Sequence, residues 1–150
     1  MGVNPFDQPS VVASKDSTRT FMDQYKQKGQ LPEEESAPLA DDGVQVYADV
    51  SNRAALVGSG ITSLTGAMKV HFDRLKPGDY VAMMPFLERT DIGHRLLQDA
   101  RLLLRDRRRV ATTLVYGPRL LHSSAQLHMH GPASGLFVQI TADDTQDVPI

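Results

Sequence analysis

The feature that most constrains this chain is a series of short apolar segments separated by helical patterns in its second half. Tyr80 to Phe86 is continuously apolar and short enough for a buried strand. Asp91 to Asp106 carries Ile92, Leu96, Leu97, Leu103 and Leu104 at helical spacing. Val110 to Tyr116 is a second apolar strand, ended by Gly117-Pro118. Arg119 to His128 reads as a short helix or helical loop, and Gly135 to Thr141 as a third strand. Strand, helix, strand, helix, strand at this spacing is a βαβ pattern, which brings parallel strands together through right-handed crossovers. Strands buried on both faces of such a sheet should be apolar almost throughout, as VAMMPFL and LFVQI are. The expected class is α/β: an N-terminal helix and acidic linker, followed by a small, mostly parallel sheet flanked by helices.

The first half is organised differently. Asn4-Pro5 and Gln8-Pro9 are helix-start chemistry, and the spacing predicts a helix over Ser10 to Lys28 that Gly29 ends. Val11, Lys15, Thr18, Met22 and Tyr25 fall on one side of it, so Lys15 is expected to share a face with apolar residues. Gln30 to Gly43, with Glu33, Glu34, Glu35, Asp41 and Asp42, reads as a solvated acidic linker. Val44 to Val50 alternates as a strand, and Thr62 to Leu75 repeats apolar residues as a helix that Lys76-Pro77-Gly78-Asp79 stops. The expected organisation is residues 1–29 as a leading segment, 30–43 as linker and 44–150 as an α/β domain.

Composition narrows the function classes. A net charge of −2 supplies no field that calls for nucleic acid. The absence of cysteine removes thiolate chemistry and disulfides, and it suits a cytoplasmic setting. The start, MGVNPFDQPS, has neither the basic nor the apolar region of a signal peptide, and no apolar run approaches the length of a membrane helix. The tail ADDTQDVPI reads as if it stopped without a closing element.

Two stretches carry chemistry. In the first, Phe6-Asp7-Gln8-Pro9-Ser10-Val11-Val12-Ala13-Ser14-Lys15, an amide stands at a helix start with a lysine two turns on, which sets a cation and amide dipoles near one anionic ligand. The same lysine can equally lay its stem on apolar surface and hold its head in water. The second stretch is DRRRVATTLVYGPRLLHSSAQLH, Asp106 to His128. The first resembles the C-terminal signature of glucose-6-phosphate isomerases, matching at Phe6, Asp7, Gln8, Val11 and Lys15. The second, with the Pro77-Gly78-Asp79-Tyr80 turn and Gly135 to Thr141, is similar to the C-terminal extension of the isomerase half of bifunctional transaldolase/glucose-6-phosphate isomerases. Val12 departs from that signature, which has glutamate there, and His130 stands where the family has glycine.

What the resemblance implies is specific. The reaction would be the interconversion of glucose 6-phosphate and fructose 6-phosphate, with Gln8 a phosphate contact and Lys15 a catalytic group at the sugar ring. The family's phosphate loop, catalytic glutamate and ring-opening histidine precede the matched stretch, so this chain would be catalytically incomplete alone. In this sequence no carboxylate stands in a motif that marks it as the base. The partner would be a sugar phosphate, with upstream domains joined; no cofactor, nucleic acid or membrane is called for, and association of copies stays open.

Other constellations invite weaker readings. Arg119, His122, Ser123 and Ser124 follow a strand's carboxyl end, where α/β folds bind ligands, and are candidate ligand contacts. His122, His128 and His130 match no metal spacing, and hydrogen bonding in a loop accounts for them without a metal. Gly58-Ser59-Gly60-Ile61-Thr62 could cradle a phosphate before a helix, but it lacks the ending of a P-loop. Arg101, Arg105, Arg107, Arg108 and Arg109 form a basic patch near a helix C-terminus, where cations complement the dipole. Two further readings remain: an α/β interaction module that packs on another domain or chain, and an independent binder of small phosphate ligands.

Overall fold

A computed structural model describes residues 9–30, 37–122 and 124–143. They form two compact units, Met1–Ala67 and Met68–Ile150. The class is α/β, with a small parallel sheet and helices. Among the described residues no helix is long and apolar enough to cross a membrane.

In the first unit α1 spans Pro9–Lys28. Gly29, at φ +71°, ends it as expected, its amide donating to the Tyr25 carbonyl at 2.7 Å. Lys15, however, is exposed, and so are Met22 and Tyr25. The expected burial of that face is not met, because among the described residues no other element packs extensively on α1. Strands β1 (Leu39–Asp41) and β2 (Val44–Val46) pair antiparallel around Asp42-Gly43. Both turn residues have positive φ, 48° and 78°, the twist a two-residue hairpin needs. So β1 lies inside the stretch read as linker.

The strand expected over Val44 to Val50 stops at Val46. Asp49 is the reason: its carboxylate accepts from the amides of Ser51 and Asn52 at 2.9 and 3.0 Å. That cap starts α2 at Val50, and the helix runs to Gly58. Helix α3 covers Leu64–Asp73, within the range expected.

The second unit is built on β3 (Tyr80–Phe86), flanked by β4 (Ala111–Leu114) and β5 (Gly135–Thr141) in the order β4-β3-β5, both pairings parallel. Between β3 and β4 the chain passes through α4 (Asp91–Arg108); between β4 and β5 it forms a 3-10 turn (Arg119–His122) and α5 (Ala125–His130). As the central strand, β3 buries Val81, Ala82, Met83 and Pro85. Full burial of a side chain such as Val81 or Met83 contributes roughly 2 kcal/mol. Proline is awkward in a central strand because it cannot donate to the ladder. Here Pro85 lies beyond the last residue of β3 that pairs with β4, and its carbonyl accepts from Gly117 at 2.8 Å.

The outer strands are not apolar on both faces. In β5, Leu136, Val138 and Ile140 are half-buried, whereas Phe137, Gln139 and Thr141 are exposed. An edge strand here has one covered face, so alternation replaces the continuous pattern. Helix α4 also turns differently from expectation: Leu97 and Leu104 lie on its half-buried side with Arg101, but Ile92 and Leu96 are 74% and 65% exposed. Arg101 explains the rotation, since its guanidinium reaches the Thr112 hydroxyl of β4 at 3.4 Å and the carbonyl at 3.5 Å.

Candidate functional site

Strand order decides where chemistry can gather. The chain leaves β3 to build β4 on one side and then β5 on the other, so the crossovers diverge at the carboxyl end of β3. That divergence is the usual ligand position in an open parallel sheet. A cleft of about 410 Å³ lies there, lined by Phe86, Leu87, Glu88, Gly117, Pro118 and Asp143 among others. Gly117 is required: a Cβ at that position would run into the Phe86 ring. Thr90 caps α4 beside this cleft's Glu88, its hydroxyl accepting from the Gly93 amide at 3.1 Å. One turn into α4, the His94 ring meets Tyr116 with centroids 5.7 Å apart. Its Nδ1 is buried with no hydrogen-bond partner among the described residues.

The sequence candidates near this end are only partly brought into it. Arg119 opens the 3-10 turn directly after Pro118, with its side chain exposed and the cleft walled by its neighbours Gly117 and Pro118. For His122 the backbone alone is described, and Ser123 lies outside the described residues. Ser124 precedes α5; its hydroxyl is buried without a partner among the described residues and does not cap the helix. Glu88 and Asp143, which no motif marked, are the charged groups of this cleft. Two carboxylates without a lining cation disfavour an anionic ligand at that point.

Of the histidines, His128 has the most defined surroundings. Its Nδ1 lies 3.0 Å from the Tyr80 hydroxyl, and its ring stacks on Tyr80 and meets the edge of Phe137. Gly135 leaves room for the group, since a Cβ there would come 2.9 Å from the Tyr80 ring. Burial holds His128 below the ordinary histidine value of 6.5 and raises the Tyr80 hydroxyl above 10.0. The His128 Nε2 has no partner among the described residues. This is hydrogen bonding that ties α5 to β3, the reading that needs no metal. Among the described residues no three His, Asp or Glu side chains come together in a way that could hold a metal ion.

The first-unit candidates stand apart from both groups in the chain. Gln8 lies outside the described residues. Lys15 projects from α1 beside a surface network in which Arg19 meets Asp16 at 3.2 Å. The glycine stretch at Gly58 to Thr62 precedes α3 as expected, but an internal anion already serves that helix start. The Asp41 carboxylate accepts from the Leu64 amide at 2.8 Å, and the Ser63 hydroxyl from the Gly66 amide at 3.2 Å. With these amides engaged, and those of Ser59 and Gly60 donating to carbonyls of α2, fewer donors are left there for a phosphate.

No protein-family model, no curated protein and no solved structure matches this chain.

Proposed function

We propose that this chain is the C-terminal portion of a sugar-phosphate aldose–ketose isomerase, of the kind fused to transaldolase, and that it does not turn over substrate by itself. The residue matches at Phe6 to Lys15 and at Asp106 to His128 support the family. One packing observation carries the incompleteness. Helix α1, into which the first match runs, leaves Phe21, Met22 and Tyr25, which share one side, each more than half exposed. An amphipathic helix draws most of its stability from a surface that covers its apolar face. For α1 that surface belongs to another domain, and Lys15 would reach a sugar ring only once the helix is seated there.

In this reading Gln8 holds the substrate's phosphate and Lys15 polarises the ring. A base on the missing partner moves the proton between adjacent carbons through an enediol. Arg119, His122, Ser123 and Ser124 are further candidate contacts, and the setting is the cytoplasm. The test is a coupled assay of glucose 6-phosphate turnover by the purified chain, alone and mixed with the separately expressed upstream part of a transaldolase/isomerase fusion. No turnover alone, with turnover in the mixture that Lys15→Ala abolishes, is the expected result. Turnover by the chain alone, lost in Lys15→Ala, overturns the incompleteness. A mixture that neither associates nor turns over overturns the isomerase assignment.

One observation favours a second reading, a non-catalytic module. Ile92, Leu96 and Leu103 form an exposed apolar line along α4, and such a surface marks packing against another protein. Light scattering separates the two: a module of this kind self-associates or binds a partner whether or not sugar phosphate is present.

A further inference from the structure

The amino end of the sheet carries charge that the isomerase reading does not use. Lys76-Pro77-Gly78-Asp79 leads into β3 and Arg107-Arg108-Arg109 leads into β4. Because β3 and β4 are parallel neighbours starting in register at Tyr80 and Ala111, these two turns lie side by side. Together they line a cleft of about 620 Å³, a volume within the range of small-molecule sites. Its apolar lining includes Leu75 and Val110, and its charged lining is four cations against the single carboxylate of Asp79.

The counter-charges are engaged elsewhere. Asp79 accepts from the Lys76 backbone amide at 2.8 Å, closing its own turn. Arg108 donates to Asp73 at 2.6 Å, which fixes one guanidinium at the rim. Among the described residues the side chains of Lys76, Arg107 and Arg109 form no ion pair or hydrogen bond. Stabilisation of the α4 dipole accounts for cations at that helix end. It does not account for Lys76, which comes from a different turn, nor for the residue at position 109. Arg109 caps α4 in the left-handed conformation, φ 55° and ψ 43°, where glycine is free of the Cβ penalty. A side chain kept at a strained position is a pointer to use. The helix end itself opposes an anion with about half a unit of negative charge, less than the unpaired cations supply.

We propose that this cleft binds a small phosphorylated organic molecule, with Lys76, Arg107 and Arg109 on the phosphate oxygens and Leu75 and Val110 against the organic part. The proposal stands apart from the isomerase reading, which rests on Gln8 and Lys15. The test is calorimetry and thermal melting of the full chain with inorganic phosphate and phenyl phosphate, against sodium chloride at matched ionic strength. Both phosphates should raise the melting temperature above the chloride control, phenyl phosphate more. Lys76→Ala and Arg109→Gly should each weaken binding about tenfold, the loss of one charge-assisted contact. Arg95→Ala, which removes a cation from the first turns of α4, should bind as the unmodified chain does. Arg109→Gly should melt no lower than the unmodified chain without ligand, which separates lost binding from lost fold. Melting shifts no larger than with chloride, or undiminished binding by both Lys76→Ala and Arg109→Gly, would overturn the proposal.

Discussion

Helices α1 and α4 have nearly the same length, 20 and 18 residues, and opposite circumstances. The sequence of α4 supports it at every level: Thr90 caps it, Asp91 sits in its first turn, and Arg105, Arg107 and Arg108 occupy its last. Those charges complement the helix dipole, and its half-buried side packs on β4. Helix α1 has no acidic residue in its first turn, and its Val12, Phe21, Met22 and Tyr25 face solvent. The difference teaches that the two helices answer to different surfaces. The fold of the second unit uses α4, whereas Lys15 and most apolar residues of α1 are exposed, with no extensive packing among the described residues.

The largest contrast should appear on truncating equivalent side chains. Met83→Ala, in β3, is expected to cost about 2–4 kcal/mol in urea unfolding, whereas Met22→Ala, on α1, should change stability by less than about 0.5 kcal/mol. Equal losses would break the comparison. Next in size is the cap: Thr90→Ala should lower stability by about 1 kcal/mol, and circular dichroism should place the loss in the transition that melts the sheet. A loss confined to an earlier, separate transition would show that α4 is no better integrated than α1.

The smallest effect is a pH dependence. The folded state holds His128 below its ordinary value of 6.5 by burying it, so the unfolded chain takes up the proton first. The contribution is therefore complete above pH 6.5 and is lost as pH falls through that value toward the folded one. Stability should decline more steeply on acidification in the unmodified chain than in His128→Gln. Parallel slopes would mean that burial in the folded chain does not hold the His128 ring neutral.

These outcomes bear on elements of differing legibility in the sequence. Strands β3 and β5 occupy the expected ranges, because each is an apolar run closed by turn residues. The hairpin at Asp42-Gly43 was hidden by its acidic surroundings, although Asp-Gly between β-formers is a strong hairpin signal. Asp49 reads as a polar strand position until its role as a helix cap is considered. The contact of Tyr80 with His128 joins residues 48 apart in the chain, and no local pattern encodes it. Both clefts also follow from the order β4-β3-β5 and become visible only when parallel neighbours set their turns side by side. Lys15 was legible as a candidate through its spacing from Gln8, but its exposure depends on what covers α1, which periodicity alone does not reveal.

Amide hydrogen exchange on the whole chain compares the two helices' surroundings most directly. Without a partner, α1 amides should exchange close to the rate of an unprotected chain, while Val81, Ala82 and Met83 exchange slowest, near the limit set by global unfolding. Protection of α1 equal to that of β3 in the lone chain would contradict the account, since the helix would then already have its covering surface.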